Sequence, residues 1–187
     1  MHYRKRILLI GNCEYELLGL SRLLVSMGYA VTRSDVTSGR REYDLVLVAL
    51  SVEPLAGWGR HLQGIRKLYT ANPVPVVVLV PSRLKGMRLL RGTAHVISGC
   101  YSLSRLRTML QQVFKGRSTP EPPEELTPHQ KRALMSLCMA ISSNASLKAT
   151  SRKDYYLRSC LAEHVGVENL HVLCVSGLLP EVNRWQE

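Results

Sequence analysis

Long apolar runs are missing from this chain of 187 residues. A helix that crosses a membrane needs about 20 consecutive apolar residues, and no run approaches that length. The run Ile7–Ile10 follows basic residues, but it is too short for the core of a signal peptide, and no small-residue cleavage site follows it. We therefore expect a cytoplasmic protein with no membrane partner.

Cysteines are few and do not have the spacing of a disulfide framework. The chain contains five of them and no C-x-x-C pair, and an odd number at wide spacing is typical of reduced, mostly buried thiols. Cys160, His164, His171 and Cys174 are all residue types that bind zinc, but Cys174 lies on another segment with no paired knuckle. We interpret the four as ordinary core and surface residues, and we expect no metal and no cofactor.

Catalytic motifs are absent as well. The chain has no G-x-S-x-G, no P-loop and no H-E-x-x-H, and its six histidines are scattered. Glu14 and Glu16 follow the first apolar run closely, but they alternate around the start of a predicted helix, where carboxylates favour the positive end of the helix dipole. We therefore expect neither enzymatic activity nor a small-molecule substrate.

Positive charge is in excess, with a net charge of +11, and it is unevenly distributed. Residues 1–117 contain 18 Lys or Arg and 6 Asp or Glu, residues 118–125 contain three Glu and no base, and residues 126–187 contain 7 and 5. The basic excess of the first segment favours an anionic partner, either DNA phosphates or an acidic protein face.

Strand and helix patterns alternate through the first 116 residues. ILLI, YAVTRSDV, DLVLVAL, PVPVVVLV and AHVIS have the composition of strands, and helical apolar spacing is found before Gly28, over His61–Tyr69 and over Ser104–Phe114. This alternation is typical of a doubly wound parallel sheet.

A Pro- and Glu-rich stretch, GRSTPEPPEE, interrupts the pattern and predicts a stiff, solvated linker at 118–125. After it, Thr127 and Pro128 have the residue types of a helix N-cap and a first helical position. Tyr155–Val165 and Leu170–Leu179 predict further helices. We therefore expect a small all-α domain over residues 126–187.

The motifs of residues 1–117 resemble the receiver domain of LuxR-type response regulators. The matching residues are Asp44 with the strand that follows it, Gly57 in the next loop, Pro75 before VVVL, and Gly92 before TAHVI. The resemblance implies an α/β flavodoxin-like fold.

Receivers bind Mg²⁺ through an acidic pair and accept a phosphoryl group on an aspartate, with a hydroxyl and a lysine nearby. At the corresponding positions this chain has none of these groups, and carries Gly11, Asn12, Ala49, Val80 and Gly99. Asp44 is too far along its strand to substitute for the acceptor. The resemblance thus implies a degenerate receiver that works without phosphoryl transfer.

The second domain resembles the LuxR-type helix-turn-helix. Leu126-Thr127-Pro128, Ser143-Asn144 and Gly166-Val167-Glu168-Asn169 fall where that family has L-T-x, S-N and G-V-x-N, although the chain is a few residues shorter between Asn144 and Ser151. The resemblance implies a reading helix that starts at Ser151. The implied DNA contacts are Arg152, Lys153, Tyr156, Arg158 and Ser159. Asp154 would oppose phosphate, and a solvated polar helix face is the alternative interpretation.

Two functions remain open. The first is a DNA-binding transcriptional regulator that acts independently of phosphorylation on promoter or operator DNA, similar to fimbrial and capsule regulators of enteric bacteria, and that dimerises through its receiver-like half. Residues 83–91 correspond to the fourth receiver helix and predict a docking face for itself or another response-regulator-type protein, formed by Leu84, Lys85, Met87, Arg88 and Arg91. The second is a protein-interaction modulator of another regulator with little DNA contact, favoured by the low charge and shortened pattern of the second domain.

Overall fold

The computed structural model describes residues 4–34, 43–71, 74–116, 125–143 and 151–184. The predicted linker, apart from Glu125, and the shortened stretch between Asn144 and Ser151 lie outside the described residues. We refer to the described residues up to 116 as the α/β half and to those from 125 onward as the helical half. In these ranges, no helix combines the length and the apolar character that crossing a membrane requires.

Parallel strands form the centre of the α/β half, five of them in the described part of the chain. They are β1 (Arg6–Gly11), β2 (Ala30–Arg33), β3 (Leu45–Ala49), β4 (Val76–Val80) and β5 (His95–Ser98), in the order β2-β1-β3-β4-β5. Every residue of β3 and β4 is buried, because helices or the helical half cover both faces of the sheet. This order is that of flavodoxin and of receivers, so the predicted fold class is confirmed for this half.

Helices cover the two faces of the sheet in different ways. On one face, α1 (Glu14–Ser26) and α3 (Leu103–Phe114) pack their leucines against alternate strand residues such as Ile7 and Leu9. On the other face, α2 (Arg60–Ala71) packs Leu62 and Ile65 against the sheet. The α1–α3 layer and the α2 layer therefore belong to separate apolar clusters.

The segment after β4 is not the predicted helix. A 3₁₀ turn forms at Ser82–Leu84, and turns continue from it. Leu84 and Met87 are buried in the same cluster as α2 and parts of the helical half. The prediction of a helical docking face with exposed Leu84 and Met87 is therefore wrong, because these apolar side chains complete the core of the chain itself.

The helical half contains α4 (Pro128–Ser142), α5 (Arg152–Val165), α6 (Leu170–Val175) and α7 (Leu179–Arg184). Thr127 caps α4 in a reciprocal capping box with Gln130, and Ser151 caps α5 through the N–H of Asp154. The helix predicted over Leu170–Leu179 ends earlier, at Val175, because the chain turns at Gly177 with a φ of 67°, and α7 begins at Leu179.

The two halves share one apolar core. Leu134, Leu161, Val165 and Val182 of the helical half belong to the same buried cluster as Trp58 of the α/β half. The predicted linker therefore connects two segments that pack on each other, and it does not separate two independent cores.

Candidate functional sites at the sheet edge and on helix α5

The carboxyl ends of the strands meet at one edge of the sheet, which is where open α/β folds place their sites. Gly11 is in register with Ala49, and the N–H of Gly99 donates to the carbonyl of Val80 at 3.0 Å. Asn12 follows β1 directly. The fold thus brings the five positions that were predicted to form a degenerate phosphorylation site to a single edge.

Close packing fills this edge. A Cβ added to Gly11 would lie 2.7 Å from the carbonyl oxygen of Ala49. A Cβ added to Gly99 would lie 2.0 Å from the Cβ of Ser51 and 2.2 Å from its Oγ. Because both separations are far below van der Waals contact, the edge lacks room for an acidic side chain at Gly11 and for a lysine at Gly99, unless its neighbours move.

Glu16 and Ser51 join α1 to the loop after β3. The hydroxyl of Ser51 donates to Oε1 of Glu16 at 2.5 Å, and the N–H of Ser51 donates to the same oxygen at 3.2 Å. The interpretation of Glu16 as a carboxylate that only favours the helix start is therefore incomplete. Its side chain holds Ser51 against Gly99, and sequence spacing contains no signal for this contact because the two residues lie 35 positions apart.

Glu53 forms a second polar cluster beside this edge. Its Oε1 accepts a hydrogen bond from the side-chain amide of Asn12 at 3.0 Å. Its Oε2 lies 3.6 Å from Nε2 of His61 and 3.6 Å from a guanidinium nitrogen of Arg60. Burial lowers the pKa of His61, and this effect outweighs the opposing attraction of Glu53. The His61 ring is consequently biased toward its neutral form.

These groups do not form the acidic Mg²⁺ site of a receiver. Asp44 lies just before the amino end of β3 and accepts a hydrogen bond from the N–H of Arg6 at 2.6 Å, at the opposite end of the sheet. Across the ranges that the structure describes, including positions 160, 164, 171 and 174, no three His, Cys, Asp or Glu residues are grouped as a metal site would require.

Helix α5 presents a polar side to the solvent. Arg152, Lys153, Tyr156 and Ser159 are exposed, and Tyr156 keeps 66% of its surface accessible. The opposite side packs into the shared core. Four of the five predicted DNA contacts are therefore accessible on the solvent-facing side of α5, which the α/β half does not cover.

Arg158 departs from this pattern. It is 5% exposed, and its Nε donates to Oδ1 of Asp154 at 2.9 Å. The prediction of a DNA contact for Arg158 is wrong, because its side chain points inward and is bound to Asp154. The same pair compensates the charge of Asp154, which was expected to oppose a phosphate.

Backbone hydrogen bonds join the two halves. The N–H of Gly59 donates to the carbonyl of Ser176 at 2.7 Å, and the N–H of Arg88 donates to the carbonyl of Val165 at 2.8 Å. A Cβ added to Gly166 would lie 1.8 Å from the carbonyl oxygen of Gly86. Residues 86–88 of the predicted docking face therefore contact the helical half of the same chain. Lys85 is exposed, and Arg91 is half-buried.

An ion pair crosses the same junction. Nη1 of Arg66 lies 2.7 Å from Oε2 of Glu181, and Nε2 of Gln63 donates to Oε1 of Glu181 at 3.2 Å. The Glu181 side chain is 6% exposed and that of Arg66 is 26% exposed. This pair fixes α7 against α2 in a nearly dry environment.

Among known proteins, similarity to this chain is found with solved structures. No family model and no curated protein matches the chain. A response regulator receiver domain from Clostridium thermocellum is 17% identical over 60% of this chain and 96% of its own, with a TM-score of 0.48. A signal receiver domain from Pseudomonas fluorescens Pf-5 is 22% identical over 62% and 98%, with a TM-score of 0.45. Full-length FixJ from B. japonicum is 15% identical over 93% and 98%, with a TM-score of 0.44. All three TM-scores are below 0.5, and the assignment of the fold rests on the strand order.

Proposed function

We propose that this chain is a transcriptional regulator that binds DNA through α5 and acts without phosphorylation. The observation that carries the proposal is the placement of α5, whose polar side faces the solvent while its other side is buried in a core shared with the α/β half. A surface that is already exposed needs no phosphorylation-driven separation of the two halves to reach DNA.

The closed sheet edge supports independence from phosphate. Ala49 stands where the acceptor aspartate is expected, and Ser51 fills the space beside Gly99. None of the five described positions Gly11, Asn12, Ala49, Val80 and Gly99 carries the carboxylate, hydroxyl or amine with which a receiver forms and senses an acyl phosphate. The α/β half is then a permanent scaffold for the helical half.

The first turns of α5 support contact with DNA. Arg152 and Lys153 lie directly after the N-cap Ser151, where recognition helices enter the major groove. Cationic side chains there are suited to phosphates and to guanine edges, and Tyr156 and Ser159 add a stacking surface and a hydroxyl. Asp154 is neutralised by Arg158 and does not repel the phosphates.

Binding of the full-length chain to labelled promoter fragments tests this proposal. Arg152→Ala combined with Lys153→Ala should weaken binding and reduce the slope of log K against log salt by about 1 for each phosphate that the variant no longer neutralises. Lys67→Ala is the matched control, since Lys67 is exposed on α2. Equal binding by the double variant and the control, or no binding by the unaltered chain at low salt, would contradict the proposal.

A second candidate function is the modulation of another regulator by direct protein contact. The specific observation in its favour is an exposed apolar surface on α1, where Tyr15 is 89% exposed and Val25 is 49% exposed. If this were the main activity, the protein would bind a response-regulator-type partner or a second copy while the α5 variants had no effect on that binding.

A further inference from the structure

One side of α1 exposes apolar side chains that the fold leaves uncovered. Tyr15, Leu18 and Val25 are 89%, 40% and 49% exposed, and Arg22 lies between them on the same side of the helix. The opposite side of α1 is buried against the sheet. Internal packing therefore explains the inner leucines of α1 and gives no reason for the outer apolar residues.

Helix α3 continues this surface. A guanidinium nitrogen of Arg107 donates to the hydroxyl of Ser26 at 3.2 Å, so the two helices lie side by side. Leu103, in the first turn of α3, is 67% exposed. We call Tyr15, Leu18, Arg22, Val25, Leu103 and Arg107 the α1–α3 face. It lies on the side of the sheet away from α2 and the helical half, so docking of the helical half leaves it accessible.

Gly19 gives an independent indication of contact on this face. It is exposed in the middle of α1, and an added Cβ would meet nothing within 4 Å. Glycine destabilises a helix interior relative to alanine, and nothing inside the protein requires it here. On an outer helix surface, the absent side chain allows the backbone of a partner to approach closely.

Charge decides which kind of partner fits. Arg22 and Arg107 lie on the face, the Arg105 guanidinium stacks on the nearby Tyr101 ring, and residues 91–116 contain no Asp or Glu. The exposed Glu14 is paired with Arg33. A symmetric contact between two copies would bring these cations toward one another, which is unfavourable. An apolar centre with a basic rim also suits a protein surface better than a nucleic-acid backbone, which offers no apolar groups to Leu18 and Val25.

We propose that the α1–α3 face is the docking surface for a protein partner that presents acidic residues around an apolar centre, with Gly19 at the closest approach. This goes beyond DNA binding by α5, because it uses the other side of the sheet. Failure of either proposal leaves the other intact.

The test uses the full-length chain and two fluorescent helical peptides as probes. Both peptides carry leucines at helical spacing, flanked by glutamates in the first and by lysines in the second. The glutamate peptide should bind at least about tenfold more tightly, because like charges at the rim repel the lysine peptide. Arg22→Glu should remove or invert that preference.

Gly19→Ala supplies a second variant that should fold normally, because its added Cβ meets nothing within 4 Å. It should raise the melting temperature, because alanine favours a helix, and should weaken peptide binding several-fold. Gly64→Ala in α2 is the matched control, since its Cβ also meets nothing within 4 Å, and it should raise the melting temperature with unchanged binding.

Equal affinity for the two peptides, or no affinity for either, would overturn the proposal, as would unchanged binding by Arg22→Glu. Concentration-dependent dimerisation that Arg22→Glu abolishes would identify a second copy as the occupant and would also overturn it. Loss of duplex DNA binding in Arg22→Glu, with the α5 residues intact, would assign the face to nucleic acid instead.

Discussion

Replacement of Gly99 by alanine tests whether the sheet edge is closed by packing. The new Cβ would lie 2.0 Å from the Cβ of Ser51 and 3.5 Å from its Cα. The obstacle is therefore the Ser51 side chain, while the Ser51 backbone is at ordinary contact distance. Removing that side chain should make room for the alanine.

The magnitude follows from the packing. Forcing an extra carbon into a well-packed site costs about 1–3 kcal/mol of unfolding free energy, and we expect Gly99→Ala to fall in that range. Ser51→Gly alone should also destabilise, by about 1.5–3 kcal/mol, because it removes a hydrogen bond to the Glu16 carboxylate. In the Ser51→Gly background, Gly99→Ala should cost less than about 0.5 kcal/mol, since the collision is gone.

Urea unfolding of the four proteins in this double-mutant cycle gives the coupling energy, which should be at least about 0.5 kcal/mol in favour of the double variant. Gly64→Ala is the control, because it makes the same replacement at a position where the added Cβ meets nothing within 4 Å. It should stabilise the protein by about 0.5–1 kcal/mol. If Gly99→Ala had the same effect in both backgrounds, Ser51 would not be the group that closes the edge.

Three further predictions concern phosphate, the junction between the halves, and pH. An acyl-phosphate donor with Mg²⁺ should leave the protein unlabelled by mass spectrometry, and one phosphate per chain would show a working acceptor. Glu181→Ala should lower the unfolding free energy by about 2–3 kcal/mol in urea titrations, because it removes the carboxylate that balances the charge of the half-buried Arg66. Glu168→Ala is the control, because it removes only the mostly exposed contact with Arg83 and should cost less than about 0.5 kcal/mol. Equal losses of unfolding free energy in the two variants would argue against a specific role of the Arg66–Glu181 pair. Burial lowers the pKa of His61 in the folded state below its ordinary 6.5, so its stabilising effect is present above pH 6.5 and is lost as the pH falls through the lower, folded value. His61→Gln should therefore flatten the loss of stability below pH 6.5, and an unchanged profile would refute this contribution.

Local patterns predicted most of the elements. The uninterrupted valines and leucines of β3 and β4 identify strands buried on both faces, and Thr127 and Ser151 mark the helix starts that the structure has. The positions of the degenerate phosphorylation site were also predictable as a group, because the carboxyl ends of parallel strands meet at one edge.

Contacts between distant segments were not predictable in the same way. Arg158 has the residue type and helix position of a DNA contact, yet its side chain is buried, and it lines a cavity together with Leu170 of the neighbouring helix α6. Residues 83–91 have an apolar and basic pattern that suits a docking helix, yet Leu84 and Met87 complete the chain's own core. In both cases the deciding factor was which other segment lay alongside, which periodicity does not contain.

The amino-acid sequence by itself determined the order of strands and helices, the helix caps and the residue types at the five positions Gly11, Asn12, Ala49, Val80 and Gly99, because each depends on residue type or on neighbours a few positions away. Tertiary structure alone decided that Ser51 fills the space beside Gly99, that the two halves share a core, and that α1 keeps an apolar side uncovered. These features depend on which side chains meet across the fold, and the free energy of such contacts is set by shape and burial rather than by spacing along the chain.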